Sequence, residues 1–300
     1  MSAVQCEICP RGGEGADVIV RAPAKINLWL EVTGKREDGY HDLSSLMLPI
    51  SVFDRMTLGL RPGNGPITLA CDTDEIPCDE RNLAWRAADL FLKATGKKAG
   101  VAFRIQKVIP WGAGLGGGSS DAAGVLCALN CFFEGIVSAG DLASMALCLG
   151  ADVPFFLDSR PALATGVGEK LEFVPGVPDY PLVLIKPPIV VPTAWVYQNL
   201  KLTKSRAQIK LTSFEDHPYQ LEGCIENDLE AVTVSRYPVI AEIKSYLLDK
   251  GAMAASMSGS GPTVFAVFSS VAQAEEAARM AKKQWSDCWV RAARVIGSKI

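Results

Sequence analysis

Apolar residues recur at period two where the chain begins to look structured. In DVIVRAPAKINLWLEVTGK (residues 17–35), Val18 and Val20, then Ile26, Leu28 and Leu30, alternate with other residues, which predicts a strand. REDGYHDLSSLMLPIS reads as a turn and a second extended segment, and DRMTLGLRPG and GPITLAC read as further short strands. ERNLAWRAADLFLKATG changes to helical spacing and stops at Gly96. GVAFRIQKVIP returns to alternation, with Val101, Phe103 and Ile105 set against Ala102, Arg104 and Gln106. A glycine-rich loop follows, then a helix through about Phe133 and another over AGDLASMALCLG, with Gly150 at its C-terminal end.

After residue 160 the pattern changes. GEKLEFVPG and YPLVLIKPP read as strands, PTAWVYQNL as a short helix and KSRAQIKLTSFEDHP as a polar loop. NDLEAVTVSRYPVIAEIKSYLLDKG is largely helical with a break before Pro238; MSGSGPTVFAVFSS is a turn leading into a strand, and VAQAEEAARMAKKQW a final helix. Sheet and helix without regular βα alternation imply an α+β fold. The change of pattern divides the chain into domains at 1–160 and 161–300. MSAVQCEICPRGGEGAD, ahead of the first strand, reads as a short loose tail.

Composition narrows the function classes. Three hundred residues, 49% of them hydrophobic, suffice for roughly two domains. A net charge of −3 argues against a broad nucleic-acid footprint. No apolar run approaches the roughly 18 residues that span a bilayer, so no membrane partner is expected; YPLVLIKPPIVVP is interrupted by Lys186 and prolines. No basic stretch precedes an apolar one at the N-terminus, and nine thinly scattered cysteines fit reduced thiols in a cytoplasm. Cys6 and Cys9 form a CxxC without a second pair, for which chance is the better reading. No feature encodes an oligomeric state.

The loop PWGAGLGGGSSDAAG (residues 110–124) carries the candidate chemistry. A Walker loop requires a lysine after its last glycine, and here Ser119, Ser120 and Asp121 follow. Gly112, Gly114 and Gly117 satisfy GxGxxG, with Glu134 further on. A dinucleotide fold, however, needs a first strand covered on both faces, and AFRIQKV alternates. The remaining reading is a loop around a triphosphate, with the helix after it aimed at the anion through its unpaired amides and positive dipole end. Ser119 and Ser120 either cap that helix or bind phosphate oxygens, directly or through a magnesium ion. Successive glycines are costly in conformational entropy, which favours phosphate binding over a merely structural turn.

PWGAGLGGGSSDAA resembles the ATP loop of the GHMP kinase superfamily, small-molecule kinases without a Walker motif. PAKINLWLEVTGKREDGYH, LGADVPFFL, GVGE, ND and MSGSGPTVFAVF resemble one member in the same order, over almost the entire chain. The resemblance implies a two-domain GHMP kinase α+β fold with its active site in the interdomain cleft, ATP as phosphoryl donor and Mg2+ as its companion. The implied acceptor is an erythritol linked to cytidine diphosphate, phosphorylated on its 2-hydroxyl on a non-mevalonate route to isoprenoid precursors. A GHMP kinase for another acceptor, such as homoserine or mevalonate, is the nearest rival. A nucleotide-binding regulator that has kept only the loop is the rival from another class.

Roles transfer residue by residue. By position alone, Lys25 in the first strand is a lysine with a solvated head, and Asp152 in GADVPFF is a turn aspartate ahead of Pro154. The resemblance instead makes Lys25 the cation at the reacting hydroxyl and Asp152 the base, with Asn27 helping to hold the erythritol end. It makes Pro110, Trp111, Gly112, Ala113, Gly114, Leu115, Gly116, Gly117, Gly118, Ser119 and Ser120 the ATP loop, with Asn82 a further candidate for the nucleotide pocket. Tyr40 stacks on cytosine and His41 bonds its edge, while Tyr197, with Trp195 as competitor, completes an aromatic sandwich; Thr193 lies near the erythritol. Trp111 either covers the adenine or packs, and Ser258 to Gly261 either brace the ATP loop or form a plain tight turn.

Overall fold

Two unusually long strands, β2 (Ala16–Lys35) and β3 (His41–Pro62), run 20 and 22 residues. In this computed structural model, which describes residues 5–10, 15–201, 221 and 225–297, they are neighbours in one sheet. The sequence reading splits β3 in two. The structure keeps it whole because Leu46, Leu48, Ile50, Val52, Asp54, Met56, Leu58 and Leu60 are all buried, one period without a break. A charged residue at Asp54 imitates a turn signal; in the fold it is a buried strand residue. The expected loose tail is also corrected: Gln5–Pro10 forms strand β1, antiparallel to the start of β2 with Gln5 opposite Arg21. The edge of β2 offers unpaired backbone groups, and the tail pairs with them.

The chain forms two compact units. The first takes the described residues up to Ala24, then Val52–Trp111 and Gly116–Ser159. Its sheet adds β5 (Ala99–Gln106), antiparallel to the second half of β3, and β4 (Ile67–Cys71), parallel to β5. Helices α1 (Leu83–Thr95), α2 (Gly117–Phe132), α3 (Ala139–Leu149) and α4 (Val153–Asp158) accompany it, α1 packed along α2. A methyl on Gly124 of α2 would stand 2.7 Å from Met56 Cε and 2.8 Å from Val20 Cγ1, so a residue without Cβ lets this helix settle directly on β2 and β3.

The second unit takes Lys25–Ser51, Gly112–Leu115 and the chain from Arg160 onward. In it β6 (Ala162–Gly166) pairs antiparallel with the first half of β3, and β7 (Lys170–Phe173) with β6. A separate antiparallel sheet runs in the order β11 (Trp289–Arg294), β8 (Pro181–Lys186), β10 (Val264–Val267), β9 (Ala254–Met257). Helices α5 (Thr193–Asn199), α6 (Glu230–Arg236), α7 (Val239–Asp249) and α8 (Val271–Gln284) belong to this unit. Val183 and Ile185 of β8 pack with Ile240, Ile243 and Leu247 of α7 and with the alanine stripe of α8. The expected polar loop KSRAQIKLTSFEDHP lies outside the described residues. Among the described residues, no helix is long and apolar enough to cross a membrane.

Candidate active site

In the second unit the site grows from β2. This stretch of β2 is covered on both faces, which buries Lys25 and Asn27, 5% and 4% exposed, in a setting where a charge persists only if it is bound. Lys25 Nζ donates to Asn27 Oδ1 at 2.7 Å, Asn27 Nδ2 to Ser45 Oγ at 2.8 Å, and Ser45 Oγ to the Trp29 carbonyl at 2.7 Å. The relay orients the amide: its oxygen must face the ammonium because its nitrogen is engaged with Ser45.

The glycine loop is fastened to the same strand. Lys25 N donates to the Leu115 carbonyl at 3.0 Å, and the side chains of Ala113 and Leu115 are buried anchors. Gly114 has φ 74° and lies so close to the Ser258 carbonyl that any Cβ would collide with it, which only glycine avoids. Ser258 Oγ in turn donates to the Gly114 carbonyl at 3.0 Å. The two glycine-rich segments therefore hold each other directly, and of the two readings of Ser258 to Gly261, this contact favours the brace.

Further along the second unit, Thr193 Oγ1 and Ser260 Oγ share a hydrogen bond of 2.8 Å. The His41 and Tyr197 rings stack at 5.2 Å and 29°, leaving no room for a base between them, while Tyr40 is 65% exposed at the tip of its turn. Trp195 packs against the core, with the Arg236 guanidinium 4.7 Å over its ring.

In the first unit, α2 begins at an N-cap of Gly116 (φ 72°) with no side-chain cap and no acidic residue in its first turn. That corrects the capping alternative for the two serines. Ser119 and Ser120 lie inside the helix, because the glycine run itself makes the entry turn, and Ser120 Oγ is buried without a hydrogen-bond partner. Gly117 and Gly118 open the helix, Trp111 is 54% exposed beside Pro110, and Asp152 precedes α4. Asn82 is the N-cap of α1: its Oδ1 accepts from Ala84 N and its Nδ2 donates to the Pro77 carbonyl, both at 2.9 Å. Both ends of its side chain are thus engaged in holding the helix start.

An ionic cluster that the sequence reading missed lies beneath α2. Lys107 Nζ bonds Asp54 Oδ2 and, at 2.8 Å, Asp121 Oδ2; Asp54 Oδ1 accepts from Val108 N at 2.6 Å and Ile109 N at 2.9 Å. The chain leading into the glycine loop is thereby pinned to β3. Burial, joined by the neighbouring Asp54 carboxylate, pushes the Asp121 carboxyl up to about 7 against the pull of Lys107. For Lys107, burial works against the charge, but the two carboxylates outweigh it and hold the ammonium above its ordinary value. Only the placement of Lys107 and Asp121 on either side of the loop could have signalled this in the sequence; Asp54 gave no signal.

The GHMP kinases N terminal domain family matches residues 82–160 and the GHMP kinases C terminal family residues 217–287. A 4-diphosphocytidyl-2-C-methyl-D-erythritol kinase of Geobacter sulfurreducens is 45% identical over 273 residues, 91% of this chain and 98% of its own. The chain belongs to the 4-diphosphocytidyl-2-C-methyl-D-erythritol kinase family. The kinase of that name from Syntrophotalea carbinolica is 49% identical over 83% of this chain and 88% of its own. A solved 4-(cytidine 5'-diphospho)-2C-methyl-D-erythritol kinase superposes with TM-score 0.78 at 36% identity, covering 92% of this chain and 99% of the other. A homoserine kinase of Cytophaga hutchinsonii, at TM-score 0.74 and 19% identity over 95% and 96% of the two chains, shares the fold. The chain is therefore a GHMP small-molecule kinase of α+β fold that uses ATP.

Proposed function

We propose that the chain transfers the γ-phosphoryl group of ATP to the 2-hydroxyl of 4-diphosphocytidyl-2-C-methyl-D-erythritol and releases ADP. The observation that carries the reading is the Lys25–Asn27–Ser45 relay fastened to the glycine loop, in a chain of this family. The hydroxyl oxygen attacks the γ-phosphorus as the bond to the β-phosphate oxygen breaks. Lys25 offsets the charge that develops on the transferring group and on the hydroxyl oxygen. Asn27 grips that ammonium with a neutral oxygen, a bond that fixes its position without cancelling its charge. Asp152 accepts the hydroxyl proton late, once bond formation has acidified the alcohol. The first-turn amides of α2 bind the β- and γ-phosphates.

Mg2+ fits the chain as a passenger on the triphosphate, offsetting phosphate charge when bound. Among the described residues, no three His, Cys, Asp or Glu side chains are grouped to hold a metal, and Mg2+ commonly relies on substrate phosphates and retained water. The Ser120 hydroxyl, buried without a partner, is the neutral oxygen available to it at the start of α2. The cytosine is read by His41 and Tyr197, with the base packed on an outer face of their stack or admitted when it opens. The enzyme works in the cytoplasm on a free small molecule.

Release of ADP, followed in a coupled assay with the cytidyl substrate, homoserine and mevalonate, tests the reading. Turnover is expected with the first alone. His41→Ala should raise KM for it about tenfold, the value of one edge hydrogen bond, with KM for ATP unchanged. Comparable turnover of homoserine or mevalonate would reject the acceptor.

A further inference from the structure

The turn after β9 touches three second-unit parts of the proposed site. Glu230 accepts from Met257 N at its start and Thr233 donates to the Ser260 carbonyl, but a single side chain, Asn227, bridges two of its carbonyls. Asn227 is 9% exposed and fully engaged: Nδ2 donates both hydrogens, to the Met257 and Gly259 carbonyls at 2.7 Å each, and Oδ1 accepts from Leu229 N at 2.9 Å. Its backbone is fixed by β2, the strand of Lys25, through Leu30 N to the Glu226 carbonyl at 2.9 Å and Asp228 N to the Leu30 carbonyl at 3.0 Å. The turn it grips touches three things. Ser258 Oγ holds the Gly114 carbonyl of the ATP loop. Gly259 lies where a Cβ would stand 3.4 Å from Asn27 Oδ1. Ser260 Oγ bonds Thr193.

We propose that Asn227 is a positioning residue for phosphoryl transfer: by clamping the Met257 and Gly259 carbonyls to β2, it sets the distance between the ATP loop, the Lys25–Asn27 pair and Thr193. The inference rests on the kinase reading above. Its physical core is donor geometry. Two carbonyl oxygens converge on one point, and only a group with two N–H bonds satisfies both. Without it they repel, the turn opens, and Gly114 moves with Ser258. In a site of this kind a shift of about 1 Å can cost about a hundredfold in rate.

The side chain does two jobs, and one substitution separates them. In Asn227→Asp the oxygen that accepts from Leu229 N stays, so the start of α6 keeps its support. The NH2, however, becomes an oxygen facing two carbonyls. Expected at pH 8 are a turnover number down about 10- to 100-fold and affinity for a non-hydrolysable ATP analogue down about tenfold in protein that is still folded at the assay temperature, although the buried carboxylate lowers its thermal midpoint. Protonation of the introduced carboxyl in acid restores one donor, so the ratio of variant to wild-type turnover should climb as pH falls. Ser258→Ala cuts the link to Gly114 directly and should reproduce the loss, and the double variant should be no worse than Asn227→Asp alone.

Wild-type values for Asn227→Asp at pH 8, or losses accounted for entirely by a smaller folded fraction in near-ultraviolet circular dichroism, would overturn the proposal. Additive losses in the double variant would do the same. The analogue titration needs no acceptor. If wild type fails to use the cytidyl substrate, the function reading falls while the Asn227 result still stands or falls on nucleotide affinity.

Discussion

The two units each bury a lysine, and they grip it with different chemistry. In the first unit Lys107, 8% exposed at its side chain, bonds two carboxylates, Asp54 and Asp121. In the second, Lys25 donates to the amide oxygen of Asn27, which is itself turned by Ser45. A carboxylate neutralises the ammonium it binds, whereas an amide only aims it. With two carboxylates to one ammonium, the first arrangement is a fastener that fixes the approach to the glycine loop. The second bond aims an ammonium, as the role proposed for Lys25 at a reacting hydroxyl requires. Burial is common to both: Lys107 is held between two carboxylates, while an amide oxygen oriented by Ser45 is among the groups that hold Lys25.

Replacing each lysine by methionine tests the contrast most sharply. Lys25→Met should lower kcat by about 10²- to 10³-fold and shift the urea midpoint less than Lys107→Met does. Lys107→Met leaves two buried carboxylates without their cation and should cost about 3–5 kcal/mol of stability, read from the same urea titration. If the two variants exchange these phenotypes, the contrast is wrong. Ser45→Ala is a smaller probe: it frees the Asn27 amide to rotate and should lower kcat about tenfold, the worth of roughly one hydrogen bond, with KM for ATP unaffected.

The smallest effect is one of slope. The Asp121 carboxyl, faced by Lys107 and Asp54, titrates near 7 in the folded protein against an ordinary 3.8. The folded state thus binds a proton that the unfolded state has released. The stability this contributes is complete below about pH 4 and is lost as pH rises through about 7. Asp121→Asn should flatten that decline, seen as a smaller fall in urea midpoint between about pH 5 and pH 8 than wild type shows.

Much of this was legible in the sequence. Period-two recurrence of apolar residues announced β2 and β5, helical spacing announced α1, α2 and α8, and the glycine run announced a loop held close to other backbone. What escaped has a common cause. β1, β6, β9 and β11 are short strands whose existence depends on a partner far along the chain, and Asp54 looks like a turn residue until Lys107 is brought to it. The relay from Asn27 to Ser45 and the grip of Asn227 on the Met257 and Gly259 carbonyls span 18 and about 30 positions of sequence. Local pattern carries no information about such pairings. The tight fit of Gly114 against Ser258 likewise belongs to the tertiary structure, although both glycine-rich segments stood out individually.

Lys25–Ser51 and Gly112–Leu115 are counted in the second unit although both lie within the first half of the chain. The middle of the glycine loop therefore waits for Ser258, and β8 waits for β10 and β11. During synthesis the ribosome must deliver nearly all of the polypeptide before the two glycine-rich segments can hold each other. A fragment stopped at residue 160 would carry the loop's full sequence and still lack the serine that fastens it, so truncated products should leave the loop unfastened.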